Sequence, residues 1–137
     1  MLTDMSAPCP CASGKSFENC CAPRLMLLSP AATAEQLMRS RYTAFSLGAV
    51  DYLINTLAPE RRSVNERRML EREIRHTKWV KLEILDTVAG GITDKTGVVE
   101  FNAYFEAGNE QGCLHERSDF RKDGERWVYV GGQVEVK

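Results

Sequence analysis

Four cysteines within 13 residues constrain this chain more than any other feature. The run is Cys9-Pro10-Cys11-Ala12-Ser13-Gly14-Lys15-Ser16-Phe17-Glu18-Asn19-Cys20-Cys21, a C-x-C pair, eight residues, then a C-C pair. Adjacent cysteines bridge each other only with strain in the peptide between them. The fifth cysteine, Cys113, lies far away, and an odd total argues against a simple disulfide framework. In a reducing compartment, clustered thiols hold metal more often than they pair. Four thiolates at about 2.3 Å in a tetrahedron saturate a zinc ion and leave no open position, so such a site is structural. The expectation is one zinc on residues 1–22, held by Cys9, Cys11, Cys20 and Cys21 and not by Cys113. Metal-free thiols, a redox switch and iron in place of zinc are the alternatives that the spacing leaves open. The filled site would carry a formal charge of about −2. Lys15 and nearby backbone N–H groups are placed to offset it. Pro10 stiffens the first ligand pair, and Ser13-Gly14 supplies a tight turn.

Such a knuckle is too small to be the whole protein. The chain has 137 residues, of which 43% are hydrophobic and 27% charged, enough for one domain with its own core plus a small appendage. A net charge of −1 gives no overall field for nucleic acid or an anionic membrane. No apolar run approaches the ~20 residues of a bilayer span, and the N-terminus shows no basic, apolar leader pattern. A cytoplasmic protein is the expectation. The arginines between Arg61 and Lys78 alternate with Glu60, Glu66, Glu71 and Glu73 and lack interleaved aromatics. They read as a solvated helix face with i,i+4 pairs, which disfavours a nucleic-acid partner.

Periodicity divides the remainder. Residues 23–32 read as a linker carrying an apolar patch. Thr33-Ala34-Glu35-Gln36 is a capping box that opens a helix over about 34–47, with Gly48 suited to end it. Leu37, Arg41, Ala44 and Phe45 share one side of that helix, with Met38 and Tyr42 beside them. A short helix follows around Tyr52 to Leu57 and is stopped by Pro59. Ser63-Val64-Asn65-Glu66 opens a charged helix to about His76. Beyond it the period becomes two. Val80, Leu82 and Ile84 alternate inward, then Val99, Phe101, Ala103 and Phe105, then Leu114, Glu116, Ser118 and Phe120. A two-residue turn at Asp123-Gly124 would set Phe120 opposite Trp127, Ser118 opposite Tyr129 and Glu116 near Gly131. Helices followed by hairpins imply an α+β fold with an antiparallel sheet.

Two resemblances extend this reading. Cys9, Cys11, Ser13, Gly14, Cys20 and Cys21 resemble the SEC-C motif, the zinc-binding tail of the preprotein translocase ATPase SecA. The lysine common before the final pair is replaced here by Glu18-Asn19. Three helices and a curved four-strand meander look like the cystatin-like cone of nuclear transport factor 2 and scytalone dehydratase. Leu37-Met38-Arg39-Ser40-Arg41-Tyr42-Thr43-Ala44-Phe45, Leu114-His115-Glu116-Arg117-Ser118 and Trp127-Val128-Tyr129-Val130-Gly131-Gly132 resemble the bacterial YchJ family. These resemblances imply a SEC-C knuckle over 1–22, a linker over 23–32 and a cone over 33–137. They leave activity open.

The polar residues at inward positions are the most informative. Glu116, Ser118 and Arg41 stand where apolar side chains are expected, and a buried carboxylate is costly unless paired. The reading is that Arg41 bonds to Glu116, with Ser118 and Tyr129 as neighbours. That group is either a structural ion pair or the floor of a ligand pocket. His115 alternates outward, and Cys113 reads as a half-buried sheet residue with no base beside it. No complete catalytic constellation is visible. Two function classes follow. In one, the knuckle docks on a protein or ribosome partner, as the resemblance to the SecA tail implies. In the other, the cone holds a small molecule or acts as a small hydrolase or dehydratase-like enzyme. Whether the cone is open or filled discriminates them.

Overall fold

The computed structural model describes residues 4–136. Helices α1 (Ala22–Leu25), α2 (Ala34–Leu47), α3 (Val50–Asn55) and α4 (Val64–His76) precede strands β1 (Lys78–Ala89), β2 (Thr96–Ala107), β3 (Glu110–Asp123) and β4 (Arg126–Val136). The strands form one antiparallel sheet in the order β1-β2-β3-β4, the expected α+β meander. The residues between knuckle and cone are not featureless. They include α1 and a turn that leaves Met26, Leu27 and Leu28 exposed.

Both anticipated N-caps form. The Thr33 hydroxyl accepts from the Gln36 N–H and the Ser63 hydroxyl from the Glu66 N–H, each at 3.1 Å. The returning halves of the two boxes are diverted to tertiary work. Gln36 Oε1 accepts from the Ala32 N–H and from Arg24 Nη2, each at 2.8 Å, and Glu66 pairs with Arg61 at 2.9 Å. Gly48 ends α2 at φ 75°, a left-handed conformation that a side chain would strain.

Helix α2 is covered on more sides than its apolar stripe indicates. Leu37, Met38 and Tyr42 join the sheet residues Leu82, Val99, Phe101, Ala103 and Phe120 in the main core. Ala44 packs with Tyr52, Leu53 and Leu70 in a second cluster. Ser40 and Thr43 are also fully buried, Ser40 bonded to the Tyr52 hydroxyl at 2.6 Å and Thr43 set against the cysteines. The main core also contains Cys9, Cys11, Phe17, Cys20, Cys21 and Ala22, so knuckle and cone share one interior.

Two register expectations are corrected. In β1 the pairing steps from Trp79↔Phe105 to Lys81↔Tyr104, which bulges Val80 out to solvent and turns Trp79 inward in its place. In the β3–β4 hairpin Asp123 pairs with Arg126, so the loop residues are Gly124 and Glu125. Gly124 takes the first turn position at φ 66°, where primed turns need a positive φ. Phe120 therefore faces Tyr129 and not Trp127. A further shift after Phe120 sets Ser118 opposite Gly132 and Glu116 opposite Val134. The turn moves the pairing by two residues, which preserves the inward faces. The second shift is possible because a Cβ on Gly132 would lie 2.5 Å from the Arg117 carbonyl oxygen, where only glycine fits.

Candidate metal centre and cone cavity

The four clustered cysteines are brought together as the spacing requires. All five cysteines are unbridged, and Cys9, Cys11, Cys20 and Cys21 are buried with their sulfurs within 4.8 Å of one another. Cys11 and Cys20 Sγ are 3.6 Å apart, and Cys20 and Cys21 Sγ 3.9 Å. A tetrahedron with metal–sulfur bonds of about 2.3 Å has edges of about 3.8 Å, whereas a disulfide needs about 2.05 Å. The donor set therefore fits a four-coordinate metal ion. Four bare thiolates would repel at this range. Hydrogen bonds from Cys11 and Cys21 hold the Cys9 thiol far below its ordinary value, while hydrogen bonding to Cys11 and Cys9, with burial, pushes Cys21 far up. Cys113 is half-buried on β3, away from the cluster.

Local backbone shapes the knuckle. The Cys9 N–H donates to the Lys15 carbonyl at 2.9 Å, and the Ala12 N–H to the Cys9 carbonyl at 3.1 Å. Ser13 Oγ lies 3.1 Å from Cys20 Sγ. The remaining support comes from outside the motif, from residues that its spacing cannot reveal. The Thr43 hydroxyl on α2 donates to Cys21 Sγ at 3.3 Å and lies 3.8 Å from Cys9 Sγ. Arg39 donates to the Cys11 carbonyl at 2.8 Å, and Arg24 to the Cys20 carbonyl. Lys15, expected as the charge-offsetting group, is exposed, and among the described residues the cationic side chains bonded to ligand residues are these two arginines.

The second site is an open cavity of about 620 Å³ between α2, α4 and the sheet. Arg41, Glu116 and Tyr129 line it. Ser118 is fully buried behind Glu116 and does not. The expected Arg41–Glu116 bond is not among the contacts of either side chain. Arg41 Nη1 donates instead to the Leu53 carbonyl at 2.8 Å and the Thr56 hydroxyl at 2.6 Å, at the C-terminal end of α3. Carbonyls there lack helical partners, which makes them good acceptors for a buried cation. The guanidinium carbon stands 4.8 Å from the Tyr129 ring centroid, and burial pushes the group's pKa down to about 10, so it stays charged at neutral pH. Glu116 Oε2 accepts from both the Ser118 and Tyr129 hydroxyls. Burial, then the Glu116 carboxylate, push the Tyr129 phenol well above its ordinary value.

Three lining residues escaped the sequence reading. Trp79 enters through the β1 bulge. Arg61 donates to the Val130 carbonyl at 3.0 Å and stands 5.5 Å from the Tyr129 centroid. It is delivered by the 3-10 turn Pro59–Arg61, which is anchored where the Ala58 N–H donates to the Tyr129 carbonyl at 2.9 Å. Glu73 projects from α4, and burial followed by the Glu116 charge raises its carboxyl above the usual range. Among these Arg61 and Glu73 carried a signal, but only as members of a charged run that read as a solvated helix face. On the outer face, His115 bonds to Glu100 at 2.7 Å and takes no part in the cavity.

A four-thiol knuckle packed on a cone of this topology defines a class, the SEC-C motif proteins built on a nuclear transport factor 2-like domain. The SEC-C motif matches residues 5–23, and the family described as "YchJ, middle NTF2-like domain" matches residues 33–132. The chain belongs to the YchJ family, whose curated members are the UPF0225 proteins. It is 40% identical over 128 residues to the UPF0225 protein VV1358 of Vibrio vulnificus, covering 93% of this chain and 75% of that one. Over 131 residues it is 43% identical to SG1365 of Sodalis glossinidius, covering 94% and 84%. Among solved structures, RPA3114 of Rhodopseudomonas palustris, a SEC-C motif containing protein, superposes with a TM-score of 0.84 at 36% identity, covering 91% of this chain and 96% of that one. A SEC-C motif containing protein from Psychrobacter arcticus gives a TM-score of 0.78 at 27% identity, covering 96% and 85%. Among the described residues no helix is long and apolar enough to cross a membrane.

Proposed function

We propose that this chain is a small-molecule-binding protein that carries one structural zinc ion in its N-terminal knuckle. The observation that carries the reading is the cavity. A structural ion pair would fill the cone, yet Arg41 and Glu116 border about 620 Å³ of open space instead of closing on each other. Ligand sites are concave, mostly apolar, and carry a few fixed polar groups. Here Met38, Phe101 and Leu114 supply apolar wall, and Arg41, Glu116 and Tyr129 the polar groups. Four thiol donors and no open position favour zinc in a structural role. The test is a fragment screen by NMR on the metal-loaded chain, with Ala103→Phe as the control that fills the cavity. Shifts confined to cavity residues and lost in Ala103→Phe support the reading. Shifts unaffected by Ala103→Phe overturn it.

Docking through the knuckle has one observation in its favour: Met26, Leu27 and Leu28 are 57%, 74% and 74% exposed beside it. Isolated exposed apolar residues are ordinary, but three in succession are not. Cosedimentation with ribosomes that is abolished by Leu27→Asp and Leu28→Asp would support this role, and its absence from the unaltered chain would remove it.

A further inference from the structure

The cavity's charges are unequally committed. Both arginines at its floor are held by fixed partners: Arg41, through Nη1, by the Leu53 carbonyl and the Thr56 hydroxyl and by the Tyr129 face, Arg61 by the Val130 carbonyl and Glu66. The carboxyls are less committed. Glu116 is 7% exposed, its two hydrogen-bond donors share Oε2, and Oε1 has no partner among the described residues. Glu73 is half-buried on the facing helix, and its carboxyl accepts no hydrogen bond and joins no ion pair among the described residues. With Arg61 neutralised by Glu66 and Arg72 out at the exposed rim, the deep half holds one cation against two carboxyls. Buried carboxyls without partners are costly, and a cation that completes them recovers that cost. The adjoining wall is aromatic. Trp79 meets Tyr42 and Phe45 edge to face at 6.3 and 6.2 Å, and all three border the space. Aromatic faces attract cations and accommodate flat apolar bodies.

We propose that the cavity takes an organic cation, an ammonium or amidinium group on a flat apolar body, with its charged end on Glu116 and Glu73 and its body against Tyr42, Phe45 and Trp79. This rests on the reading of the cone as a ligand site and names the ligand's chemistry. An anionic ligand would also meet unpartnered donors, Trp79 Nε1 and the Arg41 nitrogens other than Nη1, but it would face two carboxyls that outnumber the one deep cation.

Three probes with one indole body separate the cases: tryptamine, tryptophol and indole-3-acetate, titrated into the metal-loaded chain and followed through the Trp79 indole resonance. The expected order places tryptamine about tenfold tighter than tryptophol, the margin of one charge-assisted contact, and indole-3-acetate weakest. Glu73→Gln should erase most of tryptamine's advantage while leaving tryptophol unchanged, and Glu116→Gln should do the same. Glu73 has no internal partner to lose, so that variant carries the test if Glu116→Gln folds poorly. Equal affinities, or indole-3-acetate tightest, would overturn the cation assignment and leave the cavity a ligand site. No binding by any of the three at millimolar concentration, with the fold intact, would overturn the assignment together with the ligand-site reading.

Discussion

The metal centre and the cone cavity are built in opposite ways. The ligands of the first span 13 residues, close enough along the chain for local turns to gather four sulfurs within 4.8 Å. The polar groups of the second come from α2, α4, β3 and β4 and meet only after the chain has folded. The first is closed, with its donors turned on one point. The second is open, with carboxyl oxygens left over. The contrast shows where each part draws its stability. The knuckle has few apolar residues of its own, so a bound metal ion would supply its folding energy. The cone has its own apolar core and can leave space unfilled.

That contrast is sharpest under metal removal, which should have the largest effect of any perturbation. Structural zinc sites contribute about 10–16 kcal/mol of binding energy in small zinc domains. Chelation is expected to unfold the knuckle and, because Cys9, Cys21 and Thr43 share one interior, to lower hydrogen-exchange protection along α2 from Ser40 to Ala44. Amides of β2 and β3 should stay protected. Loss confined to residues before α2 would show that the two regions are energetically separate, and loss across the sheet that they are one unit.

Arg41→Ala comes next. It removes two hydrogen bonds from a buried charged donor and the stack on Tyr129, at an expected cost of about 3 kcal/mol in denaturant unfolding. Glu116→Ala combined with it should show a coupling of about 1 kcal/mol, carried by Tyr129, which Arg41 stacks on and Glu116 bonds to, and smaller than the roughly 3–5 kcal/mol of a broken buried ion pair. Strong coupling would restore the direct ion pair. Thr43→Val should weaken metal affinity about tenfold, measured by competition with a chelator, since it deletes the hydroxyl that donates to Cys21 from outside the motif. Unchanged affinity would confine the metal site to the knuckle.

The smallest expected effect is on pH dependence. Burial raises the Glu73 carboxyl above its ordinary 4.5, so folding penalises its charged form. Its contribution is fully present below the unfolded value and is lost as pH rises through the folded one. Glu73→Gln should therefore raise the melting temperature relative to the parent at neutral pH, with the gain vanishing as pH falls below about 4.5. A constant difference at all pH values would show that Glu73 is not desolvated.

Much of the cone was readable from alternation. Leu82, Phe101, Glu116 and Phe120 lie inside and His115 outside, because a period of two fixes faces even when the turn is placed two residues away. Val80 and Trp79 were exchanged because a bulge inserts one residue without any mark in the pattern. The Arg41–Glu116 bond failed for a related reason. Both residues were correctly placed inward, but the end of α3, where the Leu53 carbonyl lacks a helical N–H partner, was invisible as a competitor for the guanidinium.

The sequence by itself determined what depends on neighbours along the chain: the four-thiol cluster, the Thr33 and Ser63 caps, the helix-then-meander order and the inward faces of the strands. Tertiary structure alone decided that Thr43 supports the metal site, that Arg41 turns to α3, that Trp79 and Arg61 enter the cavity, and that the cone stays open. Those outcomes depend on which distant group is nearest when several could satisfy the same donor or fill the same space. Spacing encodes periodicity and reach, and it does not encode that choice.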